Sequence, residues 1–596
     1  MPDWSYHILF KPILSRLSPY QSREFIHRGM NLIATLPGGH RLIHFLGREE
    51  SSELVKKEIH GVSYPNPIGL SGKIDPLLTG SNAFSNLGFG FIEIGPVTKE
   101  PTKDPSLPFV DWQKQQIDFS SNYESIGIDK TVQRLKKKKP KQPVWARLAG
   151  TIDEQQDLIT KLEPYVAAFV TSSPNLHSTT DRPIYLSVPV GDVKTLALDL
   201  IQSTCSGVVI DELEDRPNDY LRELLNSIHY LRENGFTLPI ITVGGIYEPV
   251  DALALLGAGA DLVLLSEGYV FSGPGLTKRI TEALLQQLQV NPPLHPAWIW
   301  YWLFGLSIVI GGLIATLFSL TTIILPYDEH FLGMQREEIL LFNERILYFM
   351  AHDRMTLAGT MISGGIVYMA LARFGVRNQI LWTKQAIDFA AILGFLGILL
   401  FIGYGYFDWL HLVFWLILLP IFITGFIKTR HLRGTPTSLN ARNHQVWKQS
   451  LVGQLSFIFL GFSFVLGGIV ISFIGITNVF VPSDILYICM PPEMLDLFND
   501  KLISVIAHDR AGFGSALLSV GLLVLTISLW GFQQGNKWVW WTLLIGGIPA
   551  FLAGIWIHFA IGYTTFIHLL PAYFALCLFF IGLILTYRFF HMGKDT

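Results

Sequence analysis

Two groups of residues in this chain have the types and spacing to do chemistry. The first is a pair of glycine-rich turns, Gly244 and Gly245 in VGGIYEP and Ser266 with Gly268 in LLSEGYVFSGP. Glycine lets backbone N–H groups close on an anion, and a following helix N-terminus adds a favourable dipole, so these turns point to phosphate binding. The second group comes from a duplication. LFNERILYFMAHDRMTLAGTMISGG (341–365) returns as LFNDKLISVIAHDRAGFGSALLSVG (497–521), and GYFDWLHL (405–412) returns as GYTTFIHL (562–569). The repeat matches Asn343 with Asn499, His352-Asp353-Arg354 with His508-Asp509-Arg510, and His411 with His568. Histidine can ligate a metal or haem, or relay protons. No close His-x-x-His or His–Cys spacing accompanies these residues, so no metal is expected. The expectation is an Asp–Arg pair in each unit, with the polar sets capping helix ends and locking outer loops.

These groups lie in different surroundings. A chain of 596 residues is too long for one hydrophobic core. The pattern breaks near Pro292 and Pro293. Before the break, apolar strands at 66–70, 90–94, 143–147, 166–171, 184–188, 207–210, 239–243 and 261–265 alternate with helical stretches. That alternation predicts a (β/α)8 barrel, with the glycine turns after its seventh and eighth strands, where such barrels commonly bind phosphate. Residues 1–50 place apolar positions at helical spacing between Lys11, Arg16, Arg23 and Arg28, which predicts an amphipathic helical hairpin able to lie on a membrane. The barrel is expected over 51–290.

Residues 5–290 resemble the quinone-using, membrane-associated dihydroorotate dehydrogenases. The resemblance is carried by YHILFKPILSRLSPYQSREFIHRGMNL, YPNPIGLSGKID, LGFGFIEIGPVT, VTSSPN and VGGI…GAGADLVLLSEGYVFSGPGLTKRI. It implies an FMN-carrying barrel that oxidises dihydroorotate and passes electrons to a quinone. On the family pattern the flavin would be held by Gly72, Asp75, Gly95, Gly244, Gly245, Ser266 and Gly268, with Ser173 as catalytic base and Asn175 binding substrate. The departures concern the reactive end. Pro76, Pro96, Val170, Ser187 and Glu212-Leu213 stand where the family has Lys, Thr, Asn, Lys and Asn-Thr, and DFSSNYESIG (118–127) replaces its asparagine-rich loop. A substrate carboxylate and a reduced flavin both need cationic and amide donors nearby, so these losses weaken binding and reduction together.

After the break, apolar segments of spanning length lie near 297–323, 355–373, 386–405, 409–427, 451–480, 513–532, 538–560 and 566–588. They predict an all-α polytopic domain of two parallel four-helix repeats, 295–430 and 451–596, joined by a basic loop at 431–450. Basic residues such as Arg373, Arg377, Lys384, Arg430 and Arg433 place the barrel and both termini on the cytoplasmic side of an inner membrane, with 324–354 and 481–512 facing outward. The N-terminus lacks the long apolar stretch and cleavage site of a signal peptide. Three separate cysteines define no disulfide framework. The KKKKPK run (136–141) is expected to be a solvated loop, and no aromatic-interleaved basic patch indicates nucleic acid.

Two functions follow as expectations. One is a membrane-bound FMN oxidoreductase working on a small-molecule substrate, dihydroorotate by default, and delivering electrons to quinone. The other is a catalytically degenerate barrel that serves as a ligand sensor or scaffold for a membrane receptor or transporter module.

Overall fold

The computed structural model describes residues 2–48, 50, 52–103, 108–119, 124–137, 140–174, 176, 180–212, 219–288, 292–399 and 406–593. It forms two compact units. One comprises Met1–Val290 with Pro436–Gln445, the other Asn291–Thr435 with Val446–Thr596.

In the first unit, eight parallel strands close into a barrel in chain order. They are β1 (Ile68–Leu70), β2 (Phe91–Val97), β3 (Val144–Leu148), β4 (Ala168–Thr171), β5 (Ile184–Pro189), β6 (Gly207–Asp211), β7 (Ile240–Val243) and β8 (Leu262–Leu265), and β8 pairs with β1. The strands read as apolar runs, such as IITV and LVLL, because a parallel sheet is covered on both faces. The N-terminal end of the barrel is plugged by Tyr64, Phe91, Trp145 and Tyr185, all fully buried, with Trp145 stacked on Tyr185 at 4.6 Å. This leaves the C-terminal end as the mouth.

The expected two-helix hairpin proves to be three helical stretches. One runs from Asp3 to Leu14, followed by Pro19–Thr35 and Gly39–Gly47. Ser18 starts the second by accepting from Gln21 N, with Pro19 at the first helical position. His27, Met30 and Ala34 face inward, whereas Phe25, Leu32 and Leu36 stay more than half exposed. Pro436–Gln445, expected as part of the basic loop between membrane repeats, packs with the barrel. Asn443 N donates to Glu248 Oε1 (2.7 Å), its Nδ2 donates to Tyr247 O (3.0 Å), and Arg279 Nη1 donates to Asn443 Oδ1 (2.6 Å).

The second unit contains eight helices long and apolar enough to cross a membrane. The two that carry His-Asp-Arg, in Arg336–Asn378 and Leu502–Trp530, have 67% and 72% of their most apolar stretches buried within the protein. They therefore form the centre of the unit. The stretches expected as outer loops are largely helical, as Pro326–Leu332, the start of Arg336–Ala370, Pro482–Ile488 and Pro492–Phe498. Asn343 and Asn499 leave helical geometry in the same way (φ −162° and −157°). Each side-chain Oδ1 then accepts from the N–H two residues on (3.0 Å), which restarts the helix as an Asn cap. His-Asp-Arg consequently lies inside the helices rather than at their ends.

Candidate functional site

At the barrel mouth the turns approach closely. A Cβ on Gly72 would sit 2.4 Å from Gly95 O, and one on Gly268 would sit 1.8 Å from Ile246 O. Gly244 and Gly245 adopt φ +73° and +71°, conformations that favour glycine. Ser266 Oγ is buried among these turns and has no hydrogen-bond partner. This backbone is the kind a phosphate requires.

The side chains around it are not. A Cβ on Gly244 would sit 2.1 Å from Glu212 Oε1. Glu267, fully buried, brings Oε1 to 3.5 Å from Gly245 N and accepts from the Tyr247 hydroxyl at 3.1 Å. Across the mouth, Arg147 donates to Glu93 Oε1 (2.9 Å), Asp211 Oδ2 (2.6 Å) and Ser187 Oγ (2.9 Å). Lys73 Nζ reaches Asp211 Oδ1 (3.0 Å) and Glu212 Oε2 (3.3 Å). Burial pushes the Asp211 carboxyl up, but Arg147 and Lys73 outweigh it and hold it well below the usual carboxylate range. Burial works against the Lys73 ammonium, yet Asp211 and Glu212 raise it above the ordinary lysine value.

Other residues expected at this site serve the chain itself. Asp75 accepts from Thr79 N (2.8 Å) and Gly80 N (2.9 Å). Ser173 is half-buried, with its hydroxyl 3.4 Å from Gln155 Nε2. Asn175 lies outside the described residues, as do 120–123, 138–139 and Leu213. Sequence reasoning passed over Lys73, Glu93, Arg147, Asp211 and Glu267. The signal was available, since Glu93, Arg147 and Asp211 are charges within otherwise apolar barrel strands.

FMN would bring a phosphate dianion to turns already lined by Glu212 and Glu267, and a ring system to the space spanned by Lys73, Arg147, Glu93 and Asp211. Four carboxylates facing two cations disfavour an added anion, and the cations are already paired. The residues at this mouth do not fit FMN.

Beside the mouth lies an apolar cavity of about 120 Å³. The N-terminal helices supply Leu14, Ile26 and Met30, the barrel side supplies Phe119 and Tyr269, and Lys73 reaches it from the charged network.

The fold is a closed (β/α)8 barrel joined to a helical unit with eight candidate membrane spans, and the barrel's sequence is similar to those of dihydroorotate dehydrogenases. The sequence is 25% identical over 343 residues to dihydroorotate dehydrogenase (quinone) of Christiangramia forsetii, covering 47% of this chain and 99% of that protein. It is 26% identical over 302 residues to the enzyme of the same name from Coxiella burnetii, covering 40% and 86%. Among solved structures, DHODH from Eimeria tenella in complex with ferulenol is 17% identical, with a TM-score of 0.37 over 46% of this chain and 92% of that one. No protein-family model matches the sequence.

In the membrane unit the duplicated residues converge, and they pair across the repeats. Arg354 Nε donates to Asp509 Oδ2 (2.7 Å) and its Nη1 to Asp328 Oδ2 (2.9 Å). Its counterpart Arg510 faces Asp353 Oδ2 at 3.3 Å and bonds Asp484. Each unit thus holds the expected Asp–Arg pair, Asp328–Arg354 in one and Asp484–Arg510 in the other, but the partner is not the adjacent aspartate, because neighbouring residues on a helix point in different directions. Asn343 Nδ2 donates to Ile488 O and Asn499 Nδ2 to Leu332 O, both at 2.9 Å. Phe342 and Phe498 stack at 3.7 Å between the repeats. Tyr406 bonds Asp328, and Tyr563 donates to Asp484 at 2.7 Å. His411 and His568 approach His508 and His352, with ring centroids 4.8 and 5.9 Å apart. Asp328, Asp484, Tyr406 and Tyr563 were not singled out from sequence, yet Pro326-Tyr327-Asp328 and Pro482-Ser483-Asp484 continue the same repeat upstream.

Proposed function

We propose that the barrel is a ligand-binding domain without flavin chemistry, in which the apolar cavity beneath the N-terminal helices binds a quinone-like or other apolar ligand. The observation that carries this reading is the network of Lys73, Asp211, Arg147 and Glu93, with Glu212 and Glu267 at the glycine turns. Both of its cations are already held by carboxylates inside the protein, where an FMN site would offer unpaired cations. The exposed Phe25, Leu32 and Leu36 on the N-terminal helix supply an apolar face suited to a membrane surface, the source of such a ligand. An inner membrane with the barrel on the cytoplasmic side agrees with the basic residues near the spans.

The second reading is an FMN-dependent oxidoreductase acting on dihydroorotate and quinone. It is supported by the named relatives, by the positive-φ Gly244 and Gly245, and by the unpartnered Ser266 hydroxyl. The visible spectrum of the full-length protein in detergent, incubated with FMN and repurified, separates the two. A colourless protein whose tryptophan fluorescence is quenched by decylubiquinone is the expected result. Flavin bands that bleach on addition of dihydroorotate would overturn it.

A further inference from the structure

The charge lattice of the membrane unit does not account for two further clusters. One ring nitrogen from each of His352, His558 and His568 lies within 4.8 Å of the others, and one ligand atom from each of Asp408, His411 and His508 does the same. The duplication relates the clusters, His352 corresponding to His508 and His568 to His411. His558 completes one and Asp408 the other. Each cluster draws on both repeats, so no short sequence spacing announces it.

The ring orientations follow from their partners. His352 Nδ1 is 2.8 Å from Asp353 Oδ1, and the other oxygen of that carboxylate faces Arg510. An ionised carboxylate only accepts, so His352 Nδ1 carries the proton. His558 Nδ1 lies against the Gly554 carbonyl, which also only accepts. As neutral rings the two would present lone pairs at Nε2, and these atoms face each other at 3.0 Å. Two lone pairs at that distance repel unless a cation joins them. In the second cluster His508 Nδ1 lies 3.2 Å from Asp509 Oδ1, and its Nε2 lies 3.8 Å from Asp408 Oδ2. A carboxylate or carbonyl behind the ring is the arrangement that orients metal-binding histidines and raises their basicity.

Charge points the same way. Asp328, Asp353, Asp484 and Asp509 are buried around two guanidiniums, Arg354 and Arg510, and Asp408 Oδ2 lies 2.5 Å from His411 Nδ1 and 3.8 Å from His508 Nε2. Excess negative charge in apolar surroundings is costly unless a cation neutralises it. Metal–nitrogen bonds of about 2.0–2.1 Å set tetrahedral ligands about 3.3 Å apart, between the 3.0 Å of His352–His558 and the 3.8 Å of His508–Asp408.

We propose that each cluster binds one divalent first-row transition-metal ion. Three imidazoles in one site, and two imidazoles with a carboxylate in the other, suit Zn2+, Fe2+ or Cu2+ rather than Mg2+ or Ca2+. The test uses full-length protein in detergent, stripped with EDTA and titrated with Zn2+, with bound metal counted by mass spectrometry. Two equivalents are expected to bind at micromolar Zn2+. His558→Gln should retain one, His411→Gln should retain one, and the pair together none, and Co2+ should give visible bands that the same variants reduce in step. Wild-type protein that elutes as a single species and binds no Zn2+ would overturn the proposal, leaving a proton as the bridge between the rings. Two equivalents retained in the double variant would also overturn it, because the ions would then lie elsewhere.

Discussion

The barrel mouth and the centre of the membrane unit are both built from arginines and carboxylates, but they close their charge differently. In the mouth, Arg147 and Lys73 are held within one domain by Glu93, Asp211 and Glu212. Both cations of the mouth are thereby already paired. In the membrane unit, each arginine is held by one aspartate from its own repeat and one from the other. The pairing holds the repeats together and leaves histidines and surplus carboxylates grouped beside it. The difference teaches that a cluster of ionisable residues is not in itself a site. What matters is whether its members satisfy one another.

The strongest way to break this comparison is to remove the hub of the closed network. Arg147→Leu leaves Glu93 and Asp211 buried without their main partner, and the expected loss is about 3–5 kcal/mol. It should appear as a large drop in the melting temperature of the full-length protein in detergent, followed through barrel tryptophans such as Trp145. A change no larger than that of a surface substitution would mean that water or Lys73 replaces the guanidinium. The same network sets a pH window. The depressed Asp211 contributes stability above the unfolded carboxylate value of about 3.9, and that stability is lost as pH falls through its lower folded value. The raised Lys73 contributes below about 10.4, and its contribution is lost as pH rises through the higher folded value. The network's own contribution to melting temperature should therefore be flat between these limits and fall on both sides. Asp211→Asn should blunt the acid limb.

A smaller effect tests whether pairing across the repeats is energetic or merely geometric. A double-mutant cycle on Arg354→Gln and Asp509→Asn should give a coupling of about 0.5–3 kcal/mol, because the residues share a 2.7 Å bond in a buried setting. The cycle on Arg354→Gln and Asp353→Asn, which are adjacent in sequence, should give less. Equal couplings would argue that the general field rather than the specific pair stabilises the unit.

The sequence revealed a good deal of this, unevenly. The barrel was legible because each strand is an apolar run of the right length followed by a helical stretch, and all eight strands lie where the periodicity put them. The spans were legible from length and hydropathy. Residues 324–354 were misjudged as a loop because polar residues such as Arg336, Glu337 and Glu338 interrupt hydropathy without interrupting a helix. The glycine turns were legible from composition, but not that Glu212 and Glu267 lean over them, because nothing local to Gly244 records the residue that arrives from the end of β6. The pairing of Arg354 with Asp509 was likewise hidden. A repeat shows which residues correspond, but only the packing of the two copies shows that each reaches into the other.

The smallest prediction bears most directly on that packing. Asn343 and Asn499 each restart a helix and each donate to a carbonyl of the opposite repeat, with the same distances in both copies. Replacing either with Ala removes the cap and the cross-repeat bond together, at an expected cost of about 1 kcal/mol. Because the surroundings are duplicated, the two costs should be nearly equal. Asn343 ends against Ile488, whose successor Cys489 has positive φ, whereas Asn499 ends against Leu332, whose successor Gly333 also has positive φ. Cys489 holds that conformation at a cost that glycine avoids. Cys489→Gly should therefore stabilise its repeat, whereas Gly333→Cys should destabilise the other. Opposite signs from mirror-image exchanges would show that the two halves keep one geometry with two different sequences.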